Sequence, residues 1–283
     1  MSKSSGFGQS SSTEQTGRIR TGSPVRPTSG SQISNYQDIT RLPKINFVDD
    51  LGDLEFDTKS ALKSLKSDFS WDNLDDSEVA SMFGALNKSK VGIRRDDPFE
   101  EDGEVYKYSV FIMNDYLNEP QERRIIKYSD GRVVINNDAF YLKQKFDINT
   151  GKAEVDPAYK DKGIGTKSLA RQVYFSVKNG VSYLKTYAFR DDADNSFGHI
   201  VWPKLGFDRL LSPSEAAYAR KVFKDPMIRT VLDVLEKPGG DVHWFQYGSS
   251  ANMVFNLTPG SRSMRRLARS AKNKLSGMYG RLW

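Results

Sequence analysis

The chain has 283 residues, 37% of them hydrophobic, and a formal net charge of +6, which allows one large domain or two small ones with a sizeable core. It contains no cysteine, so disulfides, thiolate metal sites and a cysteine nucleophile are excluded. Its two histidines, His199 and His243, lie far apart without HExxH spacing, and there is no run of about 18 apolar residues; neither a metal site nor a transmembrane segment is expected.

The charge is unevenly spread. Residues 1–44 carry six Lys/Arg against two acids, residues 49–104 seven against sixteen, and residues 259–283 seven against none. Basic ends therefore flank an acidic shoulder. Residues 1–43 are rich in Ser, Gly, Thr and Pro and offer too little apolar area to offset the entropy of ordering, so they read as a disordered tail. Their start lacks the apolar core of a signal peptide; the expected location is the cytoplasm, or a particle packed from it.

Residues 44–103 read as an acidic helical region. Asp57 or Thr58 caps a stripe of Ala61, Leu62, Leu65 and Phe69, and Asp76 precedes a second stripe of Val79, Met82, Phe83 and Leu86; both repeat at spacings of three and four. The pattern then alternates. VYKYSVFIM (Val105 to Met113) and RRIIKYSDGRVVI (Arg123 to Ile135) read as strands, the second folded into a hairpin at Asp130-Gly131. Weaker strand candidates follow at 140–146 and 152–155, then a helix from about Gly165 to Lys178 stopped by Asn179-Gly180, and a strand over SYLKTYAF. Ser212-Pro213-Ser214-Glu215 is a capping box with proline at the first helical position, so residues 213–237 read as a helical insertion with helices over 213–223 and 226–236. VHWFQY and NMVFNL, around Gly248-Ser249-Ser250, read as a closing pair of strands.

The segment Lys160-Asp161-Lys162-Gly163-Ile164-Gly165-Thr166 sets two glycines at the doorstep of a helix. A glycine-rich turn at a helix start presents backbone amides to an anion, with the helix dipole adding to them. GxG alone also describes a plain tight turn. GxxxxGK[ST] is absent, and GxGxxG fails because Ser168 stands at its third glycine.

Taken with its flanks, Val155-Asp156-Pro157-Ala158-Tyr159-Lys160-Asp161-Lys162-Gly163-Ile164-Gly165 resembles the acyl-CoA signature of the GNAT superfamily of N-acetyltransferases, V-x-P-x-[YW]-[RQ]-x-x-G-x-[GA]. Downstream, Asn195 and then Trp202-Pro203-Lys204-Leu205-Gly206-Phe207 resemble the family's N-x(6)-[YF]-x-K-x-GF. The resemblance covers residues 104–211, or 104–258 if the last two strands are the family's closing hairpin. It implies an α+β fold: a mixed, mostly antiparallel, splayed sheet flanked by helices, holding acetyl-CoA as co-substrate. It also implies a pyrophosphate on the backbone amides of Lys162, Gly163, Gly165 and Thr166, with Ile164 and Lys160 in the same loop, pantetheine along Val155, and Asn195 beside the CoA arm. The implied function is acyl-CoA-dependent N-acyl transfer, acetyl transfer to an amine of a small molecule or a protein. Glu154 is the candidate general base. Many members use a tyrosine as the acid; here Trp202 holds that position, and an indole supplies no proton at neutral pH. The alternative is a GNAT-like interaction or assembly module without catalysis, such as a bacteriophage virion protein.

Residues 259–283 form a basic tail. Met264, Leu267, Ala271, Leu275 and Met278 fall on one helical face with arginines and lysines around the other. Such a helix binds nucleic acid or an anionic surface through residues 262–283, engages an acidic protein groove, or packs on the chain's own acidic N-terminal region.

Overall fold

The computed structural model describes residues 39–138, 142–147, 152–159, 162–191 and 196–271; residues 1–38 of the tail expected over 1–43, and the end of the basic segment, 272–283, lie outside them, while Ile39 of that expected tail is fully buried with Ala170 and Ala271. The strands are β1 (Asn46–Phe47), β2 (Lys90–Asp96), β3 (Glu104–Met113), β4 (Gln121–Tyr128), β5 (Val133–Asn137), β6 (Gln144–Asp147), β7 (Lys152–Val155), β8 (Tyr183–Ala188), β9 (Arg190–Asp191), β10 (Ser196–Phe197) and β11 (Ala251–Asn256). The helices are α1 (Thr58–Asp68), α2 (Asp76–Met82), α3 (Ile164–Lys178), α4 (Gly198–Lys204), α5 (Pro213–Phe223), α6 (Val231–Leu235), α7 (Gly240–Tyr247) and α8 (Arg262–Ala271).

The fold is α+β. Seven strands form one mixed sheet in the order β1-β2-β3-β4-β5-β8-β11. Neighbours are antiparallel except β1 with β2 and β5 with β8. Strand alternation puts one residue in two on each face, and the inward set is apolar: Ile93, Tyr108, Val110, Ile125, Ile135, Leu184, Met253 and Phe255 are buried in one core with residues of the helices. Leu62 and Leu65 of α1, Val79 and Met82 of α2, and Leu169 and Val173 of α3 supply the facing stripes, at the spacing that lines one side of a helix.

Local chemistry explains the helix ends. Asp57 accepts from the Ser60 amide to start α1, and Asp75, not Asp76, accepts from Ser77 to start α2, each satisfying an amide that has no partner within the helix. Ser212 and Glu215 close a complete capping box on α5. The segment Leu205-Gly206-Phe207 has a packing explanation as well. Gly206 has φ +112, and a Cβ there would sit 2.4 Å from the Ser263 carbonyl oxygen; only glycine fits. Phe207 is fully buried, its ring 5.0 Å from Trp202 and 5.4 Å from Phe255.

Four expectations change. Residues 44–103 are not wholly helical: β1 and β2 come from them and extend the large sheet beyond β3. The second insertion helix starts at Val231, not 226, because Thr230 and Asp233 build its capping box. VHWFQY is helix α7, so no closing hairpin forms, and β11 pairs instead with β8. Gly239 (φ 71) starts α7, and the helical spacing of His243 and Tyr247 brings both rings onto Tyr218 of α5. Finally, the described part of the basic C-terminal helix, α8, belongs to the fold. Met264, Leu267, Ala268 and Ala271 are buried, and α8 packs against α3, α4 and β11. Arg262 pairs with Asp233 at 2.9 Å and Glu236 at 3.2 Å, acids of the 213–237 insertion rather than of the N-terminal region. Among the described residues, no helix is long and apolar enough to cross a membrane.

Candidate functional site

The parallel pair β5–β8 is where the strand order of the large sheet first departs from chain order. β5 and β8 run in register from Val134↔Tyr183 to Asn137↔Thr186, where the pairing ends. Among the described residues β8 continues alone on that side, Tyr187 and Ala188 being paired to Asn252 and Ala251 of β11. The crossover between the strands carries α3, so that helix begins at the end where β5 stops. In open α/β sheets this is where ligands enter, outside the carboxyl ends of parallel strands.

The start of α3 is built from backbone. Asp156, 6% exposed, accepts from the Ala158 amide at 2.9 Å while its carbonyl receives the Tyr159 amide at 2.8 Å, a turn that aspartate makes readily. Gly163 is the N-cap in the left-handed region (φ 68, ψ 20), and among the described residues no side chain caps the helix. Its carbonyl receives the first helical bond, from Lys167 at 2.9 Å. The amides of Ile164, Gly165 and Thr166 therefore occupy the positions that an α-helix leaves without an internal partner, at the positive end of the dipole.

Below this start lies a layer of polar side chains buried at the end of the sheet. Register aligns Arg123 of β4, Asn137 of β5 and Thr186 of β8 across neighbouring strands, and all three are at most 3% exposed. The Asn137 and Gln172 carboxamides bond each other reciprocally at 3.0 and 2.8 Å, tying β5 to α3. Arg123 donates from Nη1 to the carbonyls of Glu122 (2.9 Å) and Asp138 (3.3 Å) and from Nη2 to Gln121 Oε1 (3.0 Å). None of these acceptors is a carboxylate. Burial pulls the guanidinium down to about 10, against the opposing fields of Asp138 and Tyr116. Burial also pushes the Tyr116 phenol up, against Ser89, Arg123 and Arg171 beside it.

No family model, curated protein or solved structure matches this chain. The functional reading therefore rests on its own residues.

Those named from sequence fall as follows. Gly163, Ile164, Gly165 and Thr166 come together at the start of α3, and Lys162 is exposed just before it. Val155 ends β7 opposite Gln144, and Glu154 lies opposite Lys145. Among the described residues β7 pairs with β6 in a separate two-stranded ladder, and the parallel partner of β8 is β5. Lys160 and Asn195 lie outside the described residues, as does the side chain of Glu154. Trp202 is 7% exposed and packed edge-on to Phe207. His199 is fully buried, Nε2 lying 3.5 Å from the Phe245 carbonyl. No group of three or more His, Asp or Glu among the described residues is placed to hold a metal ion.

Sequence reasoning missed Gln121, Arg123, Asn137, Gln172 and Thr186. One signal was available: Gln121 and Arg123 alternate with Ile125 along a strand, which sends polar groups to the face where the core lies.

Proposed function

We propose that the chain is an acyl-CoA-dependent N-acyltransferase, in its simplest form one that moves an acetyl group to an amine. The observation that carries this reading is a pair of features at one end of the sheet: the parallel strands β5 and β8 part after Asn137 and Thr186, and α3, tied to Asn137 through Gln172, starts about 10 Å further along on Gly163, an N-cap that has no side chain to bond the helix. The amides of Ile164, Gly165 and Thr166, which have no partner within the helix, suit a pyrophosphate, and Lys160 and Lys162 add positive charge. Val155 is assigned to the pantetheine arm and Asn195 to its flank. In the transfer, the amine nitrogen attacks the thioester carbonyl, the C–N bond forms as the C–S bond breaks, the thiolate leaves and takes a proton, and the nitrogen loses one. Glu154 is the residue assigned to receive it.

Absence of cysteine from the chain makes the test direct. Every thiol released during turnover comes from coenzyme A, so a thiol-reactive dye reports transfer without background. Release that depends on both acetyl-CoA and an added amine supports the reading; none across a broad amine panel contradicts it.

A second reading is favoured by Trp202 and His199. Both are buried in packing contacts, which suits a GNAT-like module kept for assembly, as in a phage virion, better than an acid or base at a cleft mouth. Recovery of the chain only in particles, without turnover, separates this reading from the first.

A further inference from the structure

The layer around Arg123 holds a positive charge that no carboxylate among the described residues bonds directly, although the field of Asp138 reaches it. Arg123 is 2% exposed, and each hydrogen bond it makes goes to a neutral oxygen. The nearby carboxylate of Asp138 gives both oxygens to Arg124 Nη2, at 3.2 and 3.1 Å. A charge taken out of water without a counter-charge is costly, and proteins bury one almost only where something pairs with it. Three buried atoms near Arg123 also have no hydrogen-bond partner: its own Nε, Nε2 of Gln121, and Oγ1 of Thr186. Gln121 and Thr186 are 4% and 3% exposed. Register puts Thr186 two strands from Arg123, about 10 Å between backbones, and the Arg123 guanidinium reaches across to the carbonyl of Asp138, next to Asn137 on the intervening strand. Gln121 shares the face of Arg123, two residues earlier in the same strand.

We propose that this layer is a binding site for a carboxylate, with the Arg123 guanidinium as counter-ion and Gln121 Nε2 and the Thr186 hydroxyl as further donors. One net positive charge matches a monoanion, and the planar guanidinium matches the two coplanar oxygens of a carboxylate. Gln172, which holds Asn137 in this layer, is seven residues along α3 from Gly165, about 10 Å down the helix, and the parting of β5 and β8 lies on the way. The proposal rests on the transferase reading only for what carries the carboxylate: the acyl group of a dicarboxylic acyl thioester, or an amine acceptor that is itself an amino acid.

The test uses the intact chain. Thermal unfolding is followed with succinate, with glutamate, and with sodium chloride or nitrate at equal ionic strength; titration calorimetry compares succinyl-CoA, acetyl-CoA and coenzyme A. Succinate or glutamate is expected to raise the melting temperature where chloride and nitrate do not. A tenfold or larger preference for succinyl-CoA over acetyl-CoA assigns the carboxylate to the acyl group; equal affinity for the two, with a shift by glutamate, assigns it to the acceptor. Arg123→Met, which removes the charge and keeps the volume, is expected to melt at or above the wild-type temperature and to lose the carboxylate shift. Should that variant fail to fold, Thr186→Val and Gln121→Met carry the test, each weakening the carboxylate shift at least threefold. The proposal is overturned by no carboxylate shift in the wild type, by an equal shift with chloride or nitrate, or by shifts that survive these substitutions. Failure of the transferase reading looks different: coenzyme A and its thioesters do not bind, while the carboxylate shift and its loss in the variants remain.

Discussion

Asn137 and Gln172 exchange two side-chain hydrogen bonds, at 3.0 and 2.8 Å, across the interface between the last residue of β5 and the middle of α3. Both residues are at most 2% exposed. Removing one partner strands a donor and an acceptor of the other in the interior, at a cost of about 1–3 kcal/mol. Asn137→Ala and Gln172→Ala should each lower the unfolding free energy from urea melts by that much, while the double variant should fall well short of the sum of the two. Additive losses would show that the pair does not act as a unit.

The two helix-flanking glycines should rank in a definite order. Gly163, at φ 68, puts an alanine in the left-handed region, at a backbone cost of about 1–2 kcal/mol. Gly206→Ala meets that penalty and a backbone oxygen 2.4 Å from the new Cβ, and should cost about 3 kcal/mol or more. Equilibrium unfolding of the two variants checks the order, and a milder effect at Gly206 would contradict the packing described for the Leu205-Gly206-Phe207 turn.

Trp202 is expected to act through packing. Trp202→Phe should lose about 1–3 kcal/mol of stability and keep acyl transfer within about threefold of wild type; Trp202→Tyr should bring no gain. The rates come from the thiol-release assay and the stabilities from urea melts. A hundredfold loss of kcat in a folded Trp202→Phe variant would assign chemistry to the indole instead.

Acid should loosen the insertion through Glu215. Burial raises its carboxyl, but the Arg209 fork (2.9 and 2.7 Å), the Ser212 amide and the Ser249 hydroxyl outweigh that and hold it at about 2, against an ordinary 4.5. A depressed carboxyl stabilises the fold fully above the ordinary value and progressively less as pH falls through the folded one. The wild type should therefore lose stability between about pH 4.5 and 2 more steeply than Glu215→Gln. Parallel pH profiles in urea melts would contradict this.

What was legible in the sequence was local. Gly163 before an apolar stripe and Asn179-Gly180 after it bracket α3, the Ser212 capping box marks α5, and Asp130-Gly131 fixes the β4–β5 hairpin, because each signal acts within a few residues. VHWFQY misleads because its β-branched and aromatic residues favour strands, whereas Gly239 sets a helix start and Trp244 donates its indole N–H to the His199 carbonyl at 2.7 Å. That bond spans 45 residues of chain and leaves no trace in local pattern. The polar layer was hidden for the same reason. Arg123 appears in a run of charged residues, and only the register β4-β5-β8 aligns it with Asn137 and Thr186.

The central claim is that the start of α3 binds the pyrophosphate of coenzyme A. Gly165→Asp tests it most directly, because an acidic residue in the first turn suits the helix dipole yet sets a negative charge where the phosphates would lie. Titration calorimetry should show acetyl-CoA binding to the wild type at one site, and at least a hundredfold weaker binding to a Gly165→Asp variant of unchanged melting temperature. No heat of binding to the wild type at millimolar acetyl-CoA, or equal affinity in both proteins, would contradict the claim.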